Sequence, residues 1–393
     1  MVDRPIRPLA IEIASGFGPA TVAGKLLADV GYHVVKIEPP QGDPMRELAS
    51  ARARLNLWDL LCGSKDSVVL DISRGRCVLD VLLDTAEVLV VDRDAYRSLD
   101  AEEVMRREKL TTCVVSAFGL DGPMADWRGG EEIVQAVSGI VSITGHIGGK
   151  PVRIAGAMLT HATANLAAAA ILADATAKRR GMPGALLDAC MFDTALAFQT
   201  SAIPAFFIDG KPPSGIGNRH TMAAPWNSFA CRDGWVIICA GNTPTWLRLC
   251  ETIARPDLVA DPAYASQGDR VRNVDALERE IESWTRVRSI AEVEAAFDVA
   301  GIPCGQIFPL ETVLDHPQFA ARALLRNTEG RRIAGGIFFR DGTPLPVHAG
   351  AADLGDGTRA VMRGRLGVPA AQYAQWLAEG ILRERDECYV AAV

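Results

Sequence analysis

Gly16-Phe17-Gly18 is the first group of residues in this chain that could do chemistry, with Glu38 following twenty positions after Gly18. The glycines lie between an apolar run and a helical pattern. That arrangement resembles a dinucleotide fingerprint, in which glycines let backbone N–H groups reach a pyrophosphate and a carboxylate takes the ribose. Two features pull against it. Thr21 stands where the third glycine belongs, and Pro19 removes one backbone donor. The competing reading is a tight turn between a strand and a helix, leaving the sheet's carboxyl edge as a ligand site on general grounds. Taken alone, the fingerprint would give an NAD-linked oxidoreductase. The nine cysteines are scattered, odd in number and without a CxxC, and the six histidines form no HExxH. The expectation is no metal, no disulfide framework and a reducing, cytoplasmic setting.

The elements that must position these residues follow from the composition and the pattern. At 393 residues, with 49% hydrophobic and 23% charged, the chain is a globular protein with room for two or three domains. A net charge of −7 offers no basic footprint, so no nucleic-acid partner is expected. The start lacks the apolar stretch of a signal peptide. From Ile154 to Ala173 there is no charged residue, but Thr160, His161, Thr163 and Asn165 interrupt an Ala-rich run. A buried helix from about Leu159 to Lys178 fits this better than a membrane span.

Short β-branched runs at Leu9–Ala14, His33–Glu38, Ser67–Ile72, Val88–Asp92 and Thr112–Ser116 alternate with helical patterns at Ala20–Val30 and in CVLDVLLDTA. Repeated strand–helix–strand order predicts an α/β fold, a Rossmann-like, mostly parallel sheet covered by helices. Further on, Glu131–Ser142 reads as one helix, Ala185–Cys190 and Trp235–Ala240 as strands, and 204–227 as a loop rich in Pro, Gly and Asn.

Several segments together resemble the class III coenzyme A transferase family, which includes formyl-CoA transferase, carnitine CoA-transferase and the α-methylacyl-CoA racemases. They are LLADVGYHVVKIEPPQGDPMR (Leu26–Arg46), SAFGLDGPMADWRGGEEIVQAVSGIVSITG (Ser116–Gly145), GNRH (Gly217–His220), DPAYASQGDRVRN (Asp261–Asn273), GIPCGQI (Gly301–Ile307) and HPQFAAR (His316–Arg322). They occur in family order across about Leu9 to Leu366. The resemblance implies a large CoA-binding domain from 1–200 and 340–393. It also implies a smaller α+β domain at 225–330, linkers at 201–224 and 331–339, and an interlocked homodimer. The substrates implied are an acyl-CoA and a carboxylic acid, with no membrane partner.

By the same resemblance, Lys65 and Arg128 line up with basic residues that hold the nucleotide, with Arg46 and Gly18 as further contacts. Lys and Arg suit phosphate through charge-assisted hydrogen bonds; the competing reading for each is a solvated cation. Asp66 and Pro39 stand where the family often has arginines. Gly217, Asn218 and His220 belong to a loop that approaches the substrate in the family.

The family's acyl-carrying aspartate lines up with Thr160, and no Asp or Glu occurs between Glu132 and Asp174. A threonine cannot form the mixed anhydride that a carboxylate forms. Glu131, which aligns with a glutamate near the transferase active site, is then expected to act as a base, its pKa raised by burial. His161 is expected as its partner, or as a histidine satisfied in a helix cap. Thr160 itself could be an N-cap. The leading expectation is CoA transfer between carboxylic acids. The alternatives are a CoA-dependent isomerase, racemase, dehydratase or lyase using Glu131 and His161, a non-catalytic CoA-binding homologue, or the NAD-linked oxidoreductase.

Overall fold

The computed structural model describes residues 7–47, 57–211, 213–328, 331–334, 338–345 and 350–385. The chain divides into two compact units, one from Met1–Ile140, Ile154–Ser201 and Gln318–Val393, the other from Val141–Arg153 and Ala202–Pro317. The short segment Val141–Arg153 thus belongs with the second unit, although it falls inside the stretch 1–200 expected for the large domain.

In the first unit, strands and helices alternate as β1 (Leu9–Ile13), α1 (Pro19–Asp29), β2 (His33–Glu38), β3 (Lys65–Leu70), α2 (Arg76–Thr85), β4 (Val88–Asp92) and β5 (Thr111–Ser116). Then come α3 (Glu131–Val137), α4 (Met158–Arg179) and β6 (Leu186–Cys190). The sheet order is β3-β2-β1-β4-β5-β6, all parallel, with the short strand Leu382–Arg383 antiparallel on β3. This is the doubly wound order, and its switch point lies between β1 and β4. The strands read as near-continuous apolar runs because both faces are covered. One face carries Ile11, Val35, Val68 and Leu82; the other carries Ala10, Val34, Leu27 and Ile171. Helix α4 packs on α1 through Ala164, Ala167 and Ala168, whose small side chains permit close approach.

Charge enters this apolar sheet by register. Glu12 on β1 stands opposite Lys36 on β2, and both are buried. Lys36 Nζ donates to Glu12 Oε1 at 3.0 Å and to the Ala14 carbonyl at 2.7 Å, and lies 3.0 Å from Asp43 Oδ2. Burial works against the ammonium, but Glu12 and Asp43 outweigh it, and the Lys36 pKa is raised. Gly24 on α1 makes room for this network: a Cβ there would come within 1.9 Å of Glu12 Oε2.

The second unit holds an antiparallel sheet of β7 (Trp226–Cys231), β8 (Gly234–Cys239) and β9 (Cys304–Gln306). Helices α5 (Thr243–Thr252), α6 (Val274–Thr285) and α7 (Ile290–Val299) close its core around Phe229, Trp246, Leu277 and Phe297.

Three expectations change. The single helix over Glu131–Ser142 is two pieces, because Gly139 at φ 89° breaks it. The stretch 204–227 carries most of a helix, Ala202–Asp209, and the start of β7. That helix reads AIPAFFID and is apolar on every side, so it shows no amphipathic period. The expected linker 331–339 contains a strand, Arg331–Ala334, paired with Leu325–Thr328; 335–337 lie outside the described residues. Among the described residues no single helix is long and apolar enough to cross a membrane.

Candidate active site

The start of α4 has no capping side chain of its own. Ala157 occupies the cap position, and the first amides of any helix need an outside acceptor. Glu131, the first residue of α3, supplies it. Its Oε1 accepts from the Leu159 amide at 3.0 Å, and its Oε2 from the Thr160 amide at 2.7 Å. The Thr160 hydroxyl donates to Oε2 at 2.8 Å, and Gln135 Nε2 donates to Oε1 at 2.8 Å. Gln135 is fully buried and is itself held by the Ile154 amide, which donates to its Oε1 at 2.9 Å.

Each oxygen of Glu131 therefore holds two donors. Burial pushes its carboxyl up, but the hydrogen bonds from Leu159, Gln135 and Thr160 outweigh burial, and the pKa lies below its ordinary value. This corrects the expectation of a pKa raised by burial. It also corrects Thr160: the residue sits inside the first turn, donating to Glu131, and is not the cap.

His161 is exposed on the same turn. Its Nδ1 lies 2.9 Å from the Ala157 carbonyl, which can only accept, so the neutral ring carries its proton on Nδ1 and leaves Nε2 as the acceptor. The ring lies 6.3 Å from that of Phe17. The Gly16–Gly18 turn and the start of α4 are therefore neighbours. Gly18 caps α1 in an extended conformation, and nothing lies within 4 Å of where its Cβ would be.

The other expected contacts are placed differently. Lys65 is buried, and its ammonium donates to Glu12 Oε2 and to the Thr21 carbonyl, both at 2.7 Å. Arg46 forks onto Glu38, at 2.7 Å from Nε and 2.6 Å from Nη2, and stacks over Trp58. Both cations are thus engaged inside the fold, where a phosphate would have to displace a carboxylate. Glu38 is fully buried and also accepts from Ser67 Oγ at 2.6 Å and the Asp43 amide at 3.0 Å. That removes the free carboxylate on which the ribose reading depended. Arg128 is exposed, with no ion-pair partner among the described residues. In the second unit, the Gly217 amide donates to the Gly145 carbonyl at 2.7 Å, Asn218 donates to Ser228 Oγ at 3.0 Å, and His220 packs on Trp226.

At the carboxyl edge of the parallel sheet lies a cavity of about 680 Å³. Ile13 and Ala14 of the β1 end, Ile37 of β2, Leu70 of β3 and Asp92 of β4 line it, so it spans the switch point. Sequence reasoning pointed to this edge as a place for a ligand but not to the acidic lining of the cavity there. The signal was present in aspartates at strand ends: Asp92 ends β4, Asp71 directly follows β3, and Asp43 lies in the loop five residues after β2. Among the described residues no cluster of three or more His, Cys, Asp or Glu could hold a metal ion.

Comparison with known proteins fixes the family. A family model for CoA-transferase family III matches residues 11–358. The chain is 31% identical over 359 residues to the acetyl-CoA:oxalate CoA-transferase of Acetobacter aceti, covering 88% of this chain and 92% of that one. It is 30% identical over 342 residues to the succinyl-CoA–D-citramalate CoA-transferase of Chloroflexus aurantiacus, covering 81% and 83%. The succinyl-CoA:mesaconate CoA-transferase of Haloarcula hispanica is also 30% identical, over 380 residues, covering 87% and 91%. In fold, the crystal structure of a CAIB/BAIF family protein from Brucella suis matches with a TM-score of 0.79 at 24% identity, covering 92% of this chain and 99% of that one. With the doubly wound sheet and the family match in agreement, this chain is a member of CoA-transferase family III, an enzyme that acts on CoA thioesters.

Proposed function

We propose that this enzyme moves CoA from an acyl-CoA to a short dicarboxylic acid, with the reaction centred on the start of α4. Oxalate, citramalate and mesaconate, which appear in the names of similar enzymes, are all dicarboxylates. The observation that carries the reading of the centre is the double saturation of Glu131. With two donors on each oxygen and a lowered pKa, Glu131 is a fixed anion that shapes the helix start. It is a poor base for a carbon acid, which speaks against the isomerase, dehydratase and lyase readings.

Thr160 stands where the resemblance puts the acyl-carrying aspartate. Its hydroxyl proton is directed at Glu131, and an ester formed there would pass its acyl group on slowly. The nucleophile in this reading is the acceptor's own carboxylate. Its oxygen bonds to the thioester carbon, the C–S bond breaks, and CoA leaves as thiolate. The thiolate then attacks the acceptor's carbonyl in the mixed anhydride, and the donor acid departs as a carboxylate. Carboxylate attack and thiolate return need no proton transfer, so His161, exposed beside Phe17 at the start of α4, has a positioning role in this reading.

The acting form is a homodimer in this reading. Phe207 and Ile208 are 80% and 81% exposed on the apolar helix Ala202–Asp209, a surface that a second subunit would cover. The free cysteines suit a cytoplasmic setting.

The test is to incubate the protein with succinyl-CoA or acetyl-CoA and a panel of mono- and dicarboxylates, following new CoA esters by mass spectrometry. Formation of a dicarboxylyl-CoA, with sequential kinetics and no hydroxylamine-trapped protein adduct, is expected. No ester from any acid would overturn the proposed activity. Transfer accompanied by a trapped adduct would overturn the direct route.

A further inference from the structure

A closed circuit of hydrogen bonds runs beneath the Gly16–Phe17–Gly18 turn. The Gly16 amide donates to Asp43 Oδ2 at 3.1 Å, and Lys36 Nζ lies 3.0 Å from the same oxygen. Lys36 also donates to one oxygen of Glu12 at 3.0 Å, and Lys65 donates to the other at 2.7 Å. From Lys65 the path goes to the Thr21 carbonyl, at 2.7 Å, and the Thr21 hydroxyl donates to the Gly16 carbonyl at 2.9 Å. The path thus returns to the residue from which it started. Its members come from β1, α1, β2, β3 and the loop after β2. Glu12, Thr21, Lys36, Asp43 and Lys65 are each 3% exposed or less.

Two ammonium groups alternate with two carboxylates in this circuit. Such a buried set is a weak source of stability, since apolar residues of the same volume hold strands together as well or better. What it supplies is direction. Both polar groups of Gly16 are tied, one from each end of the circuit, with its backbone at φ 71°. A Cβ there would meet nothing within 4 Å, so conformation and not space calls for glycine. The next residue, Phe17, is half-exposed, and its ring lies 6.3 Å from that of His161 on the first turn of α4.

We propose that the circuit holds the Gly16–Gly18 turn in place against the reaction centre, and that Thr21 and Asp43 are positioning residues for CoA transfer. The inference rests on the proposed function, which puts the reaction at the start of α4. Fixing Gly16 fixes Phe17, and Phe17 walls the side of the centre next to His161. Thr21 and Asp43 act through that turn. A displacement of about 1 Å is enough to cost up to about a hundredfold in rate.

Steady-state kinetics of the whole protein, with succinyl-CoA and the dicarboxylate it turns over, test this in variants that melt well above the assay temperature. Thr21→Val keeps the side chain's shape and removes the hydroxyl. It should lower kcat about tenfold while KM for either substrate moves by about twofold or less. Thr21→Ser keeps the hydroxyl and should recover most of the loss. Asp43→Asn opens the circuit on the other side of Gly16 and should lower kcat by a similar factor. Because either change opens the same loop, the double variant Thr21→Val with Asp43→Asn should fall no more than about twofold below the slower single one. An undiminished kcat in Thr21→Val, or an equal loss in Thr21→Ser, would overturn the inference alone, as would losses that multiply in the double variant. If Asp43→Asn does not fold, the two Thr21 variants decide. A native protein that forms no CoA ester from any acid would overturn the transferase reading and this inference with it.

Discussion

Replacing Glu131 is the perturbation whose size the structure fixes best. Glu131→Ala removes the acceptor for the Leu159 and Thr160 amides, the Thr160 hydroxyl and the Gln135 amide at once. A hydrogen bond to a charged group contributes about 1.5–3 kcal/mol, and a helix cap about 0.5–2 kcal/mol. The four bonds share one carboxylate and do not add, and water entering the space left by the side chain recovers part of the loss. The net cost expected is about 3 kcal/mol. Glu131→Gln keeps one acceptor oxygen but turns an NH₂ group toward an amide donor, so it loses about 1–2 kcal/mol.

The sign with pH follows from the depressed pKa. The native carboxyl titrates below the unfolded one, so its stabilisation is fully present above about pH 4.3 and is lost as pH falls through the lower native value. The difference between wild type and Glu131→Gln should thus be largest near neutrality and shrink in acid. Urea titration at several pH values measures the totals. Hydrogen exchange at the first turn of α4 localises them, because the Leu159 and Thr160 amides should lose protection first. A Glu131→Ala protein within about 0.5 kcal/mol of wild type, with the α4 start still protected, would refute the capping role.

Lys65→Met should destabilise the protein by about 3–5 kcal/mol, measured by denaturant titration, since it leaves part of the buried Glu12 charge uncompensated. If Lys65 instead served a phosphate, the same change would weaken CoA binding and leave stability nearly unchanged. Gly24→Ala should cost about 1–3 kcal/mol by thermal or urea unfolding, because the added methyl meets Glu12 Oε2. Sedimentation or light scattering should return twice the 42.1 kDa chain mass, and Phe207→Asp with Ile208→Asp should shift the protein toward the monomer.

The parallel body was legible because its strands obey a local rule. β2 and β4 were read at their observed ends, since HVVKIE and VLVVD are β-branched and bounded by turns. The charges inside those strands were the signal that went unused. Glu12 and Lys36 interrupt apolar runs on neighbouring strands, and such residues persist in a buried sheet only as partners. The resemblance lines Lys65 up with a nucleotide-holding residue; its partner Glu12 is 53 positions away, and no local pattern announces a pair formed by sheet order. Glu131 shows the same limit. Its own helix gives a carboxylate in a first turn, but the amides it serves lie 28 and 29 positions downstream and are brought to it only by packing. That packing also inverted the expected pKa: burial alone raises a carboxyl, and the donors from α4, together with Gln135 on its own helix, reverse it.

The most direct measurement follows oxygen. A dicarboxylate labelled with heavy oxygen in its carboxyl groups is turned over with an unlabelled acyl-CoA in ordinary water. CoA transfer requires each acceptor to surrender one carboxyl oxygen to the acid that is released, so the label should appear in the donor acid in proportion to the new thioester. Released acid carrying its oxygen from water, with no new thioester, would mean hydrolysis and would contradict the assignment of CoA transfer.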